Sequence, residues 1–274
     1  MSETIQATIV MPLLAQQDDW LRHAVASAMA QTVSTAVLVV TSACTPRANL
    51  AVLRELAHPR LKVLCQPLGA GFAEAINLGF REAETERVGL LLTDDWLSPE
   101  AVERCIAEAA DIVASARAAY AADGYRQFWQ TPADQARFDA LPSLQEKASY
   151  VGHFLLFRRA KVLAAGGVDS RIGLTGADDY DLIWTLLEQG ASVKLVPESL
   201  YHYRDHDGVR LTLRKQEDQI IDLRKILAKH GVGPEETERL VEQKAKWYGV
   251  PCHVAIEDPE WFRKPHPGLR AREA

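Results

Sequence analysis

The sequence lacks a long hydrophobic run, and its few cysteines show no pairing pattern. No apolar segment approaches the roughly 20 residues that a transmembrane helix needs. The N-terminus also has no basic-then-apolar signal pattern. The cysteines are scattered singly and form no Cys-x-x-Cys motif, which argues against a disulfide framework or a zinc site. We therefore expect a cytoplasmic protein with reduced thiols at Cys44, Cys65, Cys105 and Cys252.

The sequence also lacks an excess of positive charge. Lys and Arg number 31 against 37 Asp and Glu, so the formal net charge is -6. Such a balance gives no general attraction to nucleic acid or to an anionic membrane, and we expect no nucleic-acid partner. A peripheral membrane contact through a local basic patch and a homodimer both stay open. The 274 residues and 47% hydrophobic content are typical of one large α/β domain, with or without a tail.

Apolar segments alternate with amphipathic segments through the first half of the chain. The apolar segments are nearly continuous, as expected for strands covered on both faces. This alternation predicts an α/β fold, with a mostly parallel sheet and helices on both faces. The predicted strands are Ala7–Met11, Ala36–Val40, Leu61–Cys65, Val88–Leu92 and Asp111–Ser115, and the predicted helices are Asp19–Gln31, Ala48–Ala57, Phe72–Glu84 and one capped by Ser98.

Periodicity is lost from about residue 118 to 149, where we expect a long loop or an insertion of short helices. Regular patterns then return, and the last residues are rich in proline and charge. We expect Pro251–Ala274 to form a docked or frayed tail. The predicted elements of this half are the strands Tyr150–Phe157 and Ser192–Pro197 and the helices Arg158–Ala165, Asp178–Gln189, Leu213–His230 and Pro234–Trp247.

Two adjacent carboxylates, Asp94 and Asp95, follow the predicted strand Val88–Leu92. One interpretation is a dinucleotide site, because Gly69-Ala70-Gly71 lies about 20 residues earlier. Two details weaken it. Glu74 occupies the third glycine position, where a carboxylate would repel a pyrophosphate, and ribose recognition needs one acid rather than a pair.

A second interpretation is a metal site for a nucleotide diphosphate. Mg²⁺ and Mn²⁺ prefer hard oxygen ligands, often one or two carboxylates together with substrate phosphates. The carboxyl edge of a parallel sheet is where open α/β folds bind ligands. Taken alone, Asp94 and Asp95 also fit a solvated strand end in which Asp95 helps to begin the next helix.

A series of short motifs follows in order from residue 7 to residue 212. They are Thr8–Pro12, Ala30-Gln31-Thr32, Val37–Val40, Gly71 with Asn77 and Gly79, Asp94-Asp95-Trp96, Phe157-Arg158-Arg159, Gly166-Gly167-Val168-Asp169, Asp178-Asp179-Tyr180-Asp181-Leu182, and Val196-Pro197 with Leu200, Tyr203-Arg204 and His206. In this order they resemble the inverting family 2 glycosyltransferases, which have the GT-A fold, a nucleotide-diphospho-sugar transferase fold of Rossmann-like type.

The resemblance implies transfer of a sugar from a UDP-, GDP- or dTDP-sugar to a hydroxyl of a glycan, lipid-linked or small-molecule acceptor, with inversion and with Mg²⁺ or Mn²⁺. It implies a GT-A domain over residues 1–212, with a donor half (1–115) and an acceptor half (116–212), and a C-terminal helical extension and tail (213–274). The implied catalytic base is Asp179, with Asp178 as its substitute. The implied metal ligands are Asp94 and His206, and the implied donor-binding residues are Pro12, Ser42, Gly71, Asn77, Asp94, Asp95, Trp96 and Arg204.

The sequence departs from the family pattern at two acidic positions. The second strand ends in Thr41-Ser42-Ala43-Cys44, without the usual acid for the nucleobase, and Leu92 replaces the first acid of the metal motif. A catalytically weak relative that binds a nucleotide sugar or a partner protein is therefore an alternative. A nucleotidyltransferase is disfavoured, because Met11–Gln17 lacks a Gly- and Lys/Arg-rich phosphate loop. Structural packing of Trp96 and surface roles for His206 and Arg204 also stay open.

Overall fold

The computed structural model describes residues 4–152, 154–172, 178–206, 216–252 and 263. Its strands within these ranges join into a single mixed sheet. They are β1 (Ala7–Pro12), β2 (Thr35–Thr41), β3 (Leu61–Cys65), β4 (Arg87–Leu90), β5 (Trp96–Leu97), β6 (Ile112–Tyr120), β7 (Gln127–Thr131), β8 (Phe154–Arg158) and β9 (Val193–Arg204).

The order of strands across the sheet is β3-β2-β1-β4-β8-β6-β9-β5, and β7 pairs with β6. Strands β1 to β4, β6 and β9 run in one direction, whereas β5, β7 and β8 run in the other. The predicted α/β class with a mostly parallel sheet is confirmed. The parallel neighbours bring the carboxyl ends of β1, β2, β4, β6 and β9 to one edge.

Helices cover both faces of this sheet, and two hydrophobic cores result. The helices are α1 (Asp18–Met29), α2 (Arg47–Glu55), α3 (Phe72–Glu82), α4 (Ala101–Ile106), α5 (Gln135–Asp139), α6 (Leu144–Tyr150), α7 (Arg159–Ala164), α8 (Asp178–Glu188), α9 (Gln216–Lys229) and α10 (Pro234–Tyr248). One core packs α1, α2 and α4 on the sheet. The other packs α3, α5 to α8 and both C-terminal helices. Among the described helices, none is long and apolar enough to cross a membrane.

Helix α3 packs closely on the sheet at Gly79. A Cβ atom added to this glycine would lie 2.2 Å from Cγ1 of Val10 in β1, well inside van der Waals contact. Only hydrogen fits at this position, so the helix backbone packs directly on the strand.

The predicted irregular region from 118 to 149 is wrong in part, because β6 continues to Tyr120 and pairs with β7 in a hairpin. The first half of β6 pairs with β8 and the second half with β7, while β9 flanks it throughout. The alanine-rich sequence carries little strand signal, and the pairing on both sides is what holds it extended. The predicted short helices are present as α5 and α6. Tyr150 ends α6 rather than beginning a strand.

Two further predictions along the chain are wrong. Ser98 does not cap a helix: α4 begins at Ala101, and Oγ of Ser98 lies 2.8 Å from Nε2 of His202. The last predicted strand does not end at Pro197. Strand β9 continues to Arg204, and its pairing with β6 has register irregularities from Ser115 to Arg117 that accommodate the proline. Most of the predicted tail lies outside the described residues.

Candidate active site

The segment that follows β4 meets the end of β9 at the carboxyl edge of the sheet. Strand β5 holds the two segments together, because Trp96 pairs with His202 of β9 in antiparallel register. Asp94 and Asp95 immediately precede β5, and Arg204 closes β9. Residues that are more than 100 positions apart in sequence therefore form one cluster.

Asp94 and His206 form the pair proposed from the sequence as metal ligands. Nε2 of His206 lies 3.3 Å from Oδ2 of Asp94, and the Asp94 side chain is 26% exposed. The imidazole is buried, and its ring centroid lies 4.5 Å from that of Trp20. One accessible carboxylate beside one imidazole fits Mn²⁺ or Mg²⁺ when substrate phosphates and water supply the other ligands. Within the described ranges, no group of three or more His, Cys, Asp or Glu side chains is arranged to hold a metal.

Asp95 has a different environment from its neighbour, because its carboxylate is buried. Its Oδ2 accepts a hydrogen bond of 2.5 Å from the Tyr201 hydroxyl, and its Oδ1 accepts one of 2.7 Å from the backbone N–H of Arg204. Burial, followed by the charge of Asp94, raises the pKa of Asp95 well above its usual value. The Asp95 side chain thus joins the segment after β4 to β9. Of the two aspartates, Asp94 is the one that reaches the surface.

The guanidinium of Arg204 is also directed into the protein. Nε donates to the carbonyl of Asp94 (2.8 Å), and Nη1 donates to the carbonyl of Ala122 (2.7 Å). Nη2 lies 3.1 Å from Nδ1 of His23. Arg204 is buried, so it ties the strand end to α1 and to the β6–β7 turn. In this structure the Arg204 guanidinium is therefore not exposed for the diphosphate contact that the sequence predicted.

Trp96 is enclosed by protein groups on several sides. Its ring centroid lies 4.9 Å from that of His23, 5.2 Å from that of His202 and 5.0 Å from that of Tyr120. The guanidinium carbon of Arg204 lies 4.8 Å from the indole centroid. Burial lowers the pKa of His202 to about 4, so this imidazole is neutral at pH 7. The indole is thus a packing element of the site, and its contact with the donor sugar stays a prediction from the sequence.

Asn77 was predicted to bind the donor, but its side chain is buried in the structure. It is 2% exposed, and its amide pairs with the backbone of Val168: Nδ2 donates to the carbonyl (2.8 Å) and Oδ1 accepts from the N–H (2.9 Å). Asn77 therefore joins α3 to the segment after α7. Its burial leaves no side-chain surface for a donor contact.

The other predicted donor residues lie along the β1–β3 side of the same edge. Pro12 is the last residue of β1, and Ser42 follows β2, where its Oγ accepts from the backbone N–H of Cys44 at 3.2 Å. Gly71 precedes α3, and its backbone N–H donates to Oε2 of Glu74 at 2.9 Å. The Glu74 carboxylate thus occupies the start of α3, in keeping with the argument against a dinucleotide site.

Asp179, the predicted base, lies in the first turn of α8 and is half-buried. Its Oδ1 accepts a hydrogen bond of 2.8 Å from the backbone N–H of Tyr180. Burial raises the pKa of the Asp179 carboxyl, and the Tyr180 N–H and Arg117 act in the opposite direction. A carboxylate of raised basicity suits proton removal. Asp178 begins α8, and its side chain lies outside the described part of the molecule.

Arg117 was not identified from the sequence, although Asp95 and Asp179 both lie within its electrostatic reach. It lies on β6, and its guanidinium carbon is 4.9 Å from the ring centroid of Trp129 and 5.4 Å from that of Tyr203. The one available signal was a lone arginine inside the apolar segment Ile112–Tyr120.

Several solved glycosyltransferase structures share this fold. TarS from S. aureus (residues 1–349, in complex with UDP-GlcNAc) is 15% identical with a TM-score of 0.57, and the match covers 90% of this chain and 82% of that one. The mannosyltransferase PcManGT from Pyrobaculum calidifontis, in complex with GDP-Man and Mn²⁺, is 17% identical with a TM-score of 0.61. That match covers 95% of this chain and 72% of the other. These likenesses confirm the GT-A fold.

Sequence comparison gives the family directly. The O-antigen biosynthesis protein RfbC of Myxococcus xanthus is 31% identical over 206 residues, which are 72% of this chain and 16% of that protein. This chain thus spans about a sixth of that relative's length. The profile of glycosyl transferase family 2 matches residues 8–164, more than half of the chain. The chain therefore belongs to glycosyl transferase family 2.

Proposed function

We propose that this enzyme transfers a sugar from a nucleotide-diphosphate donor to an acceptor hydroxyl with inversion, assisted by Mg²⁺ or Mn²⁺. Structures of the same fold were solved with UDP-GlcNAc and with GDP-Man and Mn²⁺, which supports a UDP-, GDP- or dTDP-sugar here. The name of the RfbC relative supports a role in glycan biosynthesis.

The observation that carries the proposal is the pairing of Asp94 with His206 at the carboxyl edge of the sheet, 3.3 Å apart. The two come from the segment after β4 and from the end of β9, so the fold has to form before the pair exists. Asp94 and His206 would hold the metal ion, and the ion would supply positive charge to the departing diphosphate. Asp95 and Arg204 keep the Asp94 backbone in place through the hydrogen bonds described above.

Asp179 supplies the proton acceptor in this proposal. As the acceptor oxygen bonds to the anomeric carbon, the bond to the diphosphate breaks on the opposite side of the sugar, and the hydroxyl proton passes to the Asp179 carboxylate. One carboxylate suffices, because displacement in a single step inverts the configuration and needs no covalent intermediate. Burial of Asp179 raises its pKa and makes it a better base.

Nucleobase recognition in this proposal does not use an acid. The loop after β2 contains Ser42, whose backbone N–H donates to Oγ1 of Thr45 at 3.0 Å. This neutral turn offers hydroxyl and backbone groups to the nucleobase, and experiment has to decide among uracil, guanine and thymine.

We also assign residues 1–115 to donor binding and residues 116–212 to acceptor binding.

The test is a panel of UDP-, GDP- and dTDP-sugars, each with and without Mn²⁺. Donor binding is measured by calorimetry, and nucleoside diphosphate release is followed with saccharide acceptors. We expect one donor class to bind at least roughly tenfold more tightly with Mn²⁺. If none of the donors binds in a metal-dependent way, the proposal is overturned. The anomeric configuration of the product, read by NMR, tests inversion separately.

A second function is favoured by the departures at Ser42 and Leu92. A protein that binds a nucleotide sugar but transfers it slowly would retain the Asp94–His206 pair and lose part of the donor pocket. In the same panel, metal-dependent donor binding without transfer or hydrolysis would indicate this function.

A further inference from the structure

Arg117 is a mostly buried cation whose guanidinium is poorly satisfied. Among the described residues, its sole polar contact is with Oγ1 of Thr131, at 3.5 Å and thus at the limit of a hydrogen bond. Its Nε is buried without any hydrogen-bond partner. It forms no ion pair with any carboxylate in the described ranges. A buried arginine in proteins is normally paired, because an uncompensated charge costs several kcal/mol.

Arg204 provides the comparison within the same site. All three nitrogens of its guanidinium have polar partners, which are Asp94, Ala122 and His23. Arg204 therefore stabilises the fold. Arg117 instead rests between the rings of Trp129 and Tyr203, which shield it from water but accept no conventional hydrogen bond. Among the described residues no hydrogen-bond partner occupies Nη1 of Arg117, so its two N–H donors remain for a ligand.

The position of Arg117 indicates which ligand this is. It lies on β6 opposite Thr131 of β7 and Tyr201 of β9, in the half of the chain assigned to the acceptor. Asp95 and Asp179, the proposed base that takes the acceptor proton, are both within its electrostatic reach. The proposed diphosphate contacts are assigned to Asp94 and His206, and not to Arg117. Trp129 is 43% exposed and presents an aromatic surface for a sugar ring beside the cation.

We propose that Arg117 binds an anionic group of the acceptor, either a carboxylate or a phosphate ester on a saccharide. Arginine presents a planar fork of donors that matches the oxygens of both groups. The anion would supply the charge and the hydrogen-bond acceptors that Arg117 lacks in the free protein, while Trp129 contacts the attached ring. This inference rests on the proposed sugar transfer, because it places the acceptor beside Asp179.

The test compares anionic and neutral monosaccharides on the full chain. The probes are glucuronate, galacturonate and glucose 6-phosphate, with glucose and galactose as neutral controls, and binding is followed by ligand-observed NMR. We expect at least one anionic probe to bind the wild-type protein roughly tenfold or more tightly than its neutral counterpart. Carboxylate and phosphate probes in separate samples distinguish the two sources of charge.

Arg117→Gln should abolish this preference, and Arg117→Lys should retain part of it. Arg126→Gln is the matched control, because Arg126 is an exposed arginine on the same hairpin, over the Phe128 ring. Arg117→Gln should melt no lower than the Arg126→Gln control, since it removes an unsatisfied buried charge. Nucleotide-sugar binding by Arg117→Gln should match that of the wild type.

Three results would overturn the inference. One is an absence of anion preference in the wild type, and another is a preference that survives in Arg117→Gln. The third is loss of nucleotide-sugar binding or of thermal stability in Arg117→Gln, which would assign Arg117 to the donor or to the fold. Failure of the proposed function is a separate result, because it would appear as absent donor binding in the wild-type protein.

Discussion

The ammonium group of Lys229 lies 2.6 Å from Oδ2 of Asp181, and this ion pair joins α9 to α8. The other oxygen of Asp181 lies 3.1 Å from Nε2 of His230, and Lys229 also lies 3.5 Å from Oδ2 of Asp169. Both carboxylates are buried. Helix α9 thus holds the helix that carries Asp179, and both C-terminal helices pack on the same hydrophobic core.

Substitution of Lys229 by Met should lower the free energy of unfolding by roughly 3–5 kcal/mol, because it leaves Asp181 and Asp169 with less compensation inside the protein. Urea-induced unfolding followed by circular dichroism measures the change. Arg239→Gln is the control, since Arg239 pairs with Glu236 on an exposed surface and should cost about 1 kcal/mol or less. Equal losses in the two variants would contradict this account of the Lys229 pair.

Gly79→Ala should destabilise the protein by roughly 1–3 kcal/mol, because the added methyl group forces α3 away from Val10 of β1. The melting temperature measures this effect. Gly233→Ala serves as the steric control, since an added Cβ there meets no atom within 4 Å. A Gly79→Ala protein as stable as that control would show that α3 shifts without cost.

Asp94 and Asp95 should respond differently to substitution by alanine. Asp94→Ala should abolish metal-dependent donor binding and change stability little, because this side chain is partly exposed. Asp95→Ala should lower the free energy of unfolding by at least about 2 kcal/mol, since it removes the buried acceptor to which the Tyr201 hydroxyl and the Arg204 N–H donate. Calorimetry and urea unfolding on both variants check the contrast. The reverse pattern would exchange the roles that we assign to them.

Asp179→Asn should keep donor binding within about twofold and lower the transfer rate by roughly 100-fold or more, as expected for loss of a general base. The amide retains the shape of the carboxylate but accepts no proton. The measurements are donor affinity and the rate of nucleoside diphosphate release with acceptor present. Transfer at the wild-type rate would place the base elsewhere, and the Asp178→Asn variant would then be measured.

His202 should make stability depend on pH in the acidic range. Burial lowers its pKa from 6.5 to about 4, so between these values the unfolded chain binds more protons than the folded one. The stabilisation is complete above pH 6.5 and is lost as the pH falls through about 4. His202→Gln should remove this dependence, which amounts to roughly 1–3 kcal/mol. The free energy of unfolding at pH 7 and pH 4.5 measures it, with the exposed residue His58 as the control. If the stability of His202→Gln falls between these pH values as much as that of His58→Gln, the prediction is wrong.

Much of the fold was predictable from local patterns. Strands β1 to β3 and helices α1 to α3 were predicted nearly to the residue, because continuous apolar segments and amphipathic periods are properties of the chain itself. The hairpin of β6 and β7 was not predicted. Its alanines have little preference for a strand, and neighbours from distant parts of the sequence keep it extended.

The candidate site shows the same division. Asp94, His206 and Asp179 were selected as site residues from motif order alone. The resemblance to the family implied a metal pair and a base at these positions, and these assignments stay predictions until the variants are measured. The environments of their neighbours were not predictable, because the burial of Arg204 and Asn77 and the weak hydrogen bonding of Arg117 in the described ranges depend on contacts between distant segments.

By itself, the sequence determined the alternation of strands and helices, the family and the short list of acidic residues, because each of these is written in local composition and order. The tertiary structure alone decided which of two adjacent aspartates faces solvent and which of two buried arginines, Arg204 or Arg117, has few hydrogen-bond partners among the described residues. Burial and hydrogen bonding are set by the packing of segments more than 100 residues apart, as the contact of Tyr201 with Asp95 illustrates. Those two properties determine whether a charged side chain supports the fold or is free to bind a ligand.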